Sequence, residues 1–167
     1  MLIIFGGLPG TGKTTLARLL ASAIGATYLR IDTIEYALAP AEDIPLGDEG
    51  YRIAYAVAED NLNLGRDVIA DSVNSIAITR QAWHAVGARA GVKTIEVEVR
   101  CSDRQEQRQR IEARANSGDI SGVMAPTWAH VEKRHFEPWN AQITIDTAGR
   151  AIEDCLVELQ EAIRKFG

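Results

Sequence analysis

Short apolar runs alternate along the chain with longer segments in which apolar residues recur at every third or fourth position. Short runs bounded by glycine or polar residues are typical of buried strands, and the longer spacing is typical of helices. The pattern predicts strands at residues 2–5, 27–31, 68–71, 94–101 and 143–146. It predicts helices at residues 14–24, 32–39, 48–65, 75–90, 102–116, 127–136 and 151–166. Strands that alternate with helices in this way predict an α/β fold, with a parallel sheet covered by helices on both faces.

The loop between the first strand and the first helix matches a phosphate-binding motif. Residues 7–14 fit the pattern G-x-x-x-x-G-K-[ST] at every fixed position, in the strand-loop-helix context that the motif requires. Glycines allow successive backbone N–H groups to point at one anion, and the following helix adds the positive end of its dipole. The lysine suits the β- and γ-phosphates of a nucleotide, and the threonine after it suits Mg²⁺. The predicted nucleotide-binding residues are Gly7, Leu8, Pro9, Gly10, Thr11, Gly12, Lys13, Thr14 and Thr15.

Composition and charge narrow the class of protein. The chain has 167 residues, of which 46% are apolar and 25% charged, and this fits one globular domain over residues 1–167. The net charge of −5 argues against tight binding to nucleic acid. Cys101 and Cys155 have no metal-ligand spacing and indicate reduced thiols, so we expect a cytoplasmic protein. No apolar segment has the length of a membrane-spanning helix, so no membrane partner is expected.

Polar side chains follow the second and third predicted strands, at the edge of the sheet where ligands bind in this architecture. Asp32 either accepts the proton of an attacking hydroxyl or forms a capping box with Glu35. Asp71 ends the third strand and could hold Mg²⁺ or substrate. Asn74 either contacts substrate or caps the next helix. A ligand site is therefore expected at this edge.

The helix predicted at residues 102–116 is rich in arginine, and the segment after it is rich in glycine and serine. One interpretation is a lid over residues 104–126 that brings Arg110 and Arg114 onto the phosphoryl group during transfer. A planar guanidinium suits the charge that spreads over the oxygens of that group. The alternative interpretation is a solvated helix whose arginines are balanced by Glu106 and Glu112.

The chain resembles the small P-loop kinases in its phosphate-binding loop, in Asp32, in residues 70–74 followed by Arg80, and in the arginines after residues 102–103. This group includes AAA-type kinases, polynucleotide 5′-hydroxyl kinase, zeta-toxin-like kinases, gluconate kinase, adenylylsulfate kinase and chloramphenicol phosphotransferase. The resemblance implies a five-stranded parallel sheet in the order 2-3-1-4-5, the use of ATP with Mg²⁺, and a helical lid with arginines. It also implies that Asp32 is the catalytic base.

The chain departs from this resemblance at one position near the base. Polynucleotide-kinase-like members often have an arginine three residues after the base, where this chain has Glu35. A carboxylate at that position would repel an acceptor that bears phosphate, although arginines elsewhere could compensate. The candidate contacts for the acceptor are Asp32, Glu35, Asp71, Asn74 and Arg80.

We therefore expect an ATP-dependent kinase that transfers the γ-phosphoryl group of Mg·ATP to a hydroxyl of a small molecule. Its candidate catalytic residues are Lys13, Asp32, Arg110 and Arg114. A second hypothesis is an ATP-hydrolysing or nucleotide-sensing switch, but Ser72 stands where a second acid would follow Asp71, which argues against efficient activation of water. A third is a polynucleotide 5′-hydroxyl kinase, which the net charge and Glu35 disfavour. A monomer and a small homo-oligomer fit equally well.

Overall fold

The computed structural model describes residues 1–38, 47–116 and 126–166. Its strands are β1 (Leu2–Gly6), β2 (Thr27–Arg30), β3 (Val68–Asp71), β4 (Thr94–Arg100) and β5 (Ile143–Asp146). Its helices are α1 (Lys13–Ile24), α2 (Ile31–Leu38), α3 (Glu49–Asn63), α4 (Ala77–Arg89), α5 (Arg104–Asn116), α6 (Trp128–Lys133) and α7 (Ile152–Arg164). All five strands that the apolar runs predict are present.

The strands form one parallel sheet in the order β2-β3-β1-β4-β5. β1 lies at the centre, where Leu2 is opposite Val68 of β3 on one side and Thr94 of β4 on the other. All residues of β1 are buried, as expected for the central strand of a sheet with helices on both faces. The structure therefore confirms the α/β fold and the order 2-3-1-4-5. The phosphate-binding loop leaves the sheet at the carboxyl end of this central strand.

The side chains of β1 divide between two hydrophobic clusters, one on each face of the sheet. Ile3 and Phe5 pack with residues of α1 and α7. Leu2 and Ile4 pack with residues of α3 and α4, including the fully buried Trp83. Because both faces are covered, the sheet and its carboxyl edge form a rigid platform for the loops that follow the strands.

The position of Asp32 differs from the prediction. β2 ends at Arg30 and α2 begins at Ile31, so Asp32 lies in the first turn of a helix and not at the end of a strand. The Asp32 carboxylate accepts a hydrogen bond from Arg30 Nη2 (3.1 Å). It does not act as the helix N-cap, so the capping box with Glu35 is not formed.

The start of α5 also differs from the prediction. The Asp103 carboxylate accepts hydrogen bonds from the backbone N–H groups of Gln105 and Glu106 (2.8 and 3.0 Å). These bonds satisfy free donors at the helix terminus, so α5 begins at Arg104 and not at residue 102. The predicted loop at residues 117–126, which would form the end of the lid, lies outside the described residues except for Pro126.

Two further expectations concern the cysteines and the membrane. Cys101 and Cys155 are buried free thiols. Across residues 1–38, 47–116 and 126–166, none of the helices has both the length and the apolar composition needed to span a bilayer.

Candidate active site

The phosphate-binding loop turns sharply between β1 and α1. Gly7, Gly10 and Gly12 have φ angles of 144°, 81° and 83°, a region that residues with a Cβ rarely adopt. The Thr11 hydroxyl donates a hydrogen bond to the carbonyl oxygen of Leu8 across the loop (2.9 Å). The loop ends where α1 begins, and N–H groups in the first turn of a helix have no helical partner. Loop and helix terminus together form a site for an anion.

A cavity of about 380 Å³ lies against this loop. Its walls come from the loop, the start of α2, the second half of α5, and the turn between β5 and α7. The lining residues are Leu8, Pro9, Gly10, Thr11, Gly12, Lys13, Thr14, Thr15, Arg30, Asp32, Val73, Arg110, Ile111, Arg114, Pro126, Thr147, Arg150 and Ile152. The structure therefore brings all of the predicted catalytic residues to one cavity.

Lys13 and Asp71 form a buried ion pair at the base of the loop. The Lys13 ammonium donates to Asp71 Oδ1 (2.5 Å), and the Tyr28 hydroxyl donates to Oδ2 (2.7 Å). Burial alone would raise the pKa of Asp71, but the charge of Lys13 and hydrogen bonds from Lys13, Tyr28 and Thr14 lower it below its usual value. Asp71 is therefore ionised at neutral pH and holds two side chains of the loop. Burial, and then the charge of Asp71, raises the pKa of Tyr28, so Tyr28 remains a donor.

The oxygen donors beside Lys13 suit Mg²⁺. The Thr14 hydroxyl and the Asp71 carboxylate are hard ligands of the kind that this ion prefers. Within the described residues, no three His, Cys, Asp or Glu side chains converge as a metal-binding group. A magnesium ion would thus take most of its ligands from phosphate oxygens and water, as is usual where it accompanies a nucleotide.

Asp32 lines the same cavity as the loop, with its side chain 37% exposed. Its carboxylate is held by Arg30 and is thereby fixed in direction. One helical turn later, the pKa of Glu35 is raised, mainly by burial and then by the charge of Asp32, against a smaller opposing effect of Arg134. Glu35 is not among the residues that line the cavity.

α5 packs against the outside of the phosphate-binding loop. Gln107 Nε2 donates a hydrogen bond to the carbonyl oxygen of Pro9 (2.8 Å). The Arg110 guanidinium donates to the hydroxyl and the carbonyl oxygen of Thr147 (2.9 and 3.1 Å) and to the Glu106 carboxylate (2.6 Å). Most N–H groups of the Arg110 guanidinium are therefore engaged in hydrogen bonds, and two of these bonds join α5 to the turn after β5.

Thr147 connects this network to the loop, and sequence reasoning missed it. Its hydroxyl donates to the carbonyl oxygen of Thr11 (2.9 Å). Thr147 directly follows Asp146, the last residue of β5, so the strand-end rule that selected Asp71 could have found it. Tyr28 was also missed, and its position inside a predicted strand gives no signal of a polar contact.

The far side of the cavity is lined by residues from three elements. Arg114 lies one helical turn after Arg110, and Ile152 begins α7. Arg150 donates to the carbonyl oxygen of Asp146 (3.0 Å) and forms an ion pair with Glu158 (2.6 Å). The cavity wall thus also takes side chains from α5, from the turn after β5 and from the start of α7.

Asn74 and Arg80 are buried and do not line the cavity. Asn74 has a φ of 48°, and its Nδ2 donates to the carbonyl oxygen of Phe5 (2.7 Å). Arg80 is 5% exposed, donates to the two carbonyl oxygens of residues 137–138, and lies 5.2 Å from the centre of the Trp139 ring. Asn74 thus joins the segment after β3 to β1, and Arg80 joins α4 to the segment before β5.

Gly10→Ala should destabilise the protein more than Gly25→Ala. Both glycines have positive φ (81° and 66°), which costs an alanine about 1–2 kcal/mol. A Cβ at Gly10 would also lie 2.8 Å from Ile111 and 2.9 Å from the carbonyl oxygen of Gln107, whereas a Cβ at Gly25 meets nothing within 4 Å. In urea denaturation, the free energy of unfolding should fall by a further amount of about 1–3 kcal/mol for Gly10→Ala, and not for Gly25→Ala. Equal losses would contradict the close packing of α5 on the loop.

Comparisons with known proteins agree with this geometry. The family model described as "AAA domain" matches residues 2–138. Comparison with curated protein sequences finds no match. The structure of the Mycobacterium tuberculosis APS kinase CysC in complex with AMPPNP and APS is similar with a TM-score of 0.72 and 22% identity, over 98% of this chain and 96% of that one.

Two further solved structures have the same fold. Chaetomium thermophilum Kti12 in complex with ADP-AlF3 has a TM-score of 0.71 and 20% identity, over 98% of this chain and 99% of that one. A gluconokinase from Sinorhizobium meliloti has a TM-score of 0.68 and 15% identity, over 98% of this chain and 91% of that one. At these identities the likeness shows the fold, which is that of the P-loop kinases.

Proposed function

The chain belongs to the AAA-domain family, and because it also has the P-loop kinase fold, we propose that it is an ATP-dependent kinase acting on a hydroxyl of a small molecule. One observation carries this proposal. The phosphate-binding loop with Lys13 and the carboxylate of Asp32 line the same cavity. A phosphoryl donor held by this loop would thus share one site with a group that can accept a proton.

In the proposed reaction, the acceptor hydroxyl oxygen forms a bond to the γ-phosphorus of ATP. The bond between that phosphorus and the oxygen that bridges to the β-phosphate breaks, and ADP is the leaving group. Asp32 takes the hydroxyl proton, for which its partly exposed carboxylate, held by Arg30, is suited. Lys13 and the loop N–H groups hold the β- and γ-phosphates and offset the charge that develops on them.

Mg²⁺ would be held by Thr14 and, directly or through water, by Asp71. When bound, it supplies positive charge to the phosphate oxygens. Tyr28 and Thr14 form hydrogen bonds with the Asp71 carboxylate and keep it in place.

The two candidate lid arginines differ in their surroundings. Arg110 contacts Thr147 and Glu106, so we propose that it keeps α5 against the loop. Arg114 lies further along the same wall of the cavity, and we propose that it contacts phosphate during transfer. The nucleotide base would lie on the far side, beside Arg150 and Ile152.

The proposal is tested by measuring ADP release from Mg·ATP. The protein is assayed alone and with sugars, nucleosides, adenylylsulfate, aminoglycoside- and phenicol-type antibiotics and a 5′-hydroxyl oligonucleotide, with Lys13→Ala as the control. A kinase forms ADP and phosphorylated acceptor in equal amounts. Steady hydrolysis that no acceptor changes would favour a switch protein, and salt-sensitive phosphorylation of the oligonucleotide would favour a polynucleotide kinase.

We propose a cytoplasmic location, which the free thiols Cys101 and Cys155 support, since such thiols persist in reducing compartments. We propose a monomer or a small homo-oligomer.

Arg110→Ala should lower both stability and affinity for ATP. It removes charged hydrogen bonds that join α5 to Thr147, and each such bond contributes about 1.5–3 kcal/mol. Arg108→Ala is the matched control, because its pair with Glu112 is on the exposed side of the same helix, where solvent screens ion pairs. Thermal denaturation and the KM for ATP should both change for Arg110→Ala only. A pure loss of kcat, with unchanged stability, would instead indicate a lid residue.

A further inference from the structure

Glu35 is a half-buried carboxylate beside the proposed catalytic base. It lies three residues after Asp32 in α2, so the two side chains share a helix face. Its methylene groups pack on the backbone of Gly50 in the first turn of α3, where an added Cβ would overlap Glu35 Cγ. This contact fixes the side chain between the two helices.

The Glu35 carboxylate makes no hydrogen bond and no ion pair with residues 1–38, 47–116 or 126–166. Arg30 is engaged by Asp32, and Arg134 influences Glu35 only from a distance. Burial and Asp32 still raise its pKa above the usual value despite Arg134. A partly buried charge without a partner is unfavourable, and a ligand that supplies a positive group would relieve it.

Neutral polar groups extend from Glu35 towards the sheet. Tyr51 follows Gly50, and its hydroxyl lies towards the Ser72 hydroxyl and the backbone of Asn74. Burial, which is the largest effect, raises the pKa of Tyr51, and the charges of Glu35 and Asp32 add to this. Tyr51 is therefore an uncharged donor close to both carboxylates.

Ser72 is a second sign that a ligand binds here. Its side chain is 2% exposed, yet its hydroxyl forms no hydrogen bond of normal geometry with the described residues. Buried polar atoms usually have a partner, so an unsatisfied hydroxyl next to the Tyr51 side chain indicates a group that arrives with the substrate. Tyr51 is thus close to Ser72, Glu35 and Asp32, and we call these four residues the polar wall.

Resting on the proposed kinase function, we propose that this wall is the acceptor subsite and that Glu35 selects hydroxyl compounds with a protonated amine, such as amino sugars or amino alcohols. The ammonium group pairs with Glu35, the neutral hydroxyls contact Tyr51 and Ser72, and the reacting hydroxyl faces Asp32. Acceptors that bear carboxylate or phosphate are disfavoured because two carboxylates already face the subsite.

The test uses acceptors that share a skeleton and differ in charge: glucosamine, glucose and gluconate, and 3-aminopropanol, 1,3-propanediol and 3-hydroxypropanoate. In each series the amine should give the highest kcat/KM, by about tenfold or more, which is typical of one charged hydrogen bond. Glu35→Gln keeps the shape of the side chain and should remove this preference. Glu49→Gln makes the same replacement at an exposed position in the first turn of α3, and this variant should retain the preference for the amine.

The outcomes separate this inference from the kinase proposal. A neutral or anionic compound that matches the amine of its series, or a preference that survives Glu35→Gln, would overturn the role of Glu35 while leaving the kinase intact. ADP release that depends on Lys13 but responds to none of the amines would also overturn it. ADP release that does not depend on Lys13 would overturn the proposed function itself.

Discussion

Lys13→Ala is expected to lose at least 10²–10³-fold in kcat/KM for Mg·ATP, about the cost of removing one preorganised charged donor from an active site. The ammonium is the positively charged group of the phosphate-binding loop, and it is buried at the cavity wall. No other lysine lines the cavity among the described residues. Coupled measurement of ADP release in the presence of the identified acceptor checks this expectation. Near-normal activity would show that the loop does not hold the phosphates.

Stability has to be separated from activity in this variant. Without Lys13, Asp71 is a buried carboxylate that has lost its cation, and such losses cost about 3–5 kcal/mol. The double variant Lys13→Ala with Asp71→Asn removes both charges and should recover much of the lost stability but none of the activity. Lys165→Ala, at the exposed end of α7, is the control that should retain both.

Asp32→Asn is expected to lower kcat by about 10²–10⁴-fold, the usual contribution of a positioned general base. An amide cannot accept the hydroxyl proton, yet it has nearly the same size and can still contact Arg30. The KM for ATP should therefore change little, because Lys13 and the loop, which hold the phosphates in this proposal, are unchanged. Steady-state kinetics with both substrates varied separately checks this split.

The same experiment distinguishes two roles for Asp32. A large rise in the KM for the acceptor with an unchanged kcat would mean that Asp32 binds the acceptor without taking its proton. Asp154→Asn is the matched control, because it removes one carboxylate at an exposed position in the first turn of α7. It should leave kcat and the KM for the acceptor unchanged.

The sheet was predictable because its strands are buried on both faces. A strand such as β1 then reads as a continuous apolar run, and the alternation with helices determines that neighbouring strands are parallel. The glycine loop was predictable because its function depends on backbone conformations that other residues avoid. The position of Asp32 was not predictable from the sequence. A shift of two residues in the boundary between β2 and α2 decides whether Asp32 ends the strand or lies in the first turn of the helix.

Contacts between distant parts of the chain limited what could be predicted of the site. Arg110 reads as one of several arginines on a polar helix, and only its bonds to Thr147, 37 residues away, show that it holds the loop. Tyr28 likewise reads as an ordinary strand residue until the fold places its hydroxyl on Asp71. The environment of Glu35 depends on Gly50, whose lack of a side chain gives no sign of what packs there.

The buried pair of Lys13 and Asp71 has a consequence for how long products stay bound. The carboxylate is a permanent internal competitor for the same ammonium that a nucleotide needs. In the proposed reaction, ATP would displace it with its β- and γ-phosphates, whereas ADP would present only its β-phosphate to Lys13 and would compete less well. Tyr28 keeps a hydrogen bond on the other oxygen of Asp71, so the carboxylate is not left without a donor while Lys13 is away. We therefore expect the pair to lower the affinity for nucleotides and to speed the dissociation of ADP. Weak product inhibition by ADP would be the kinetic sign of this effect.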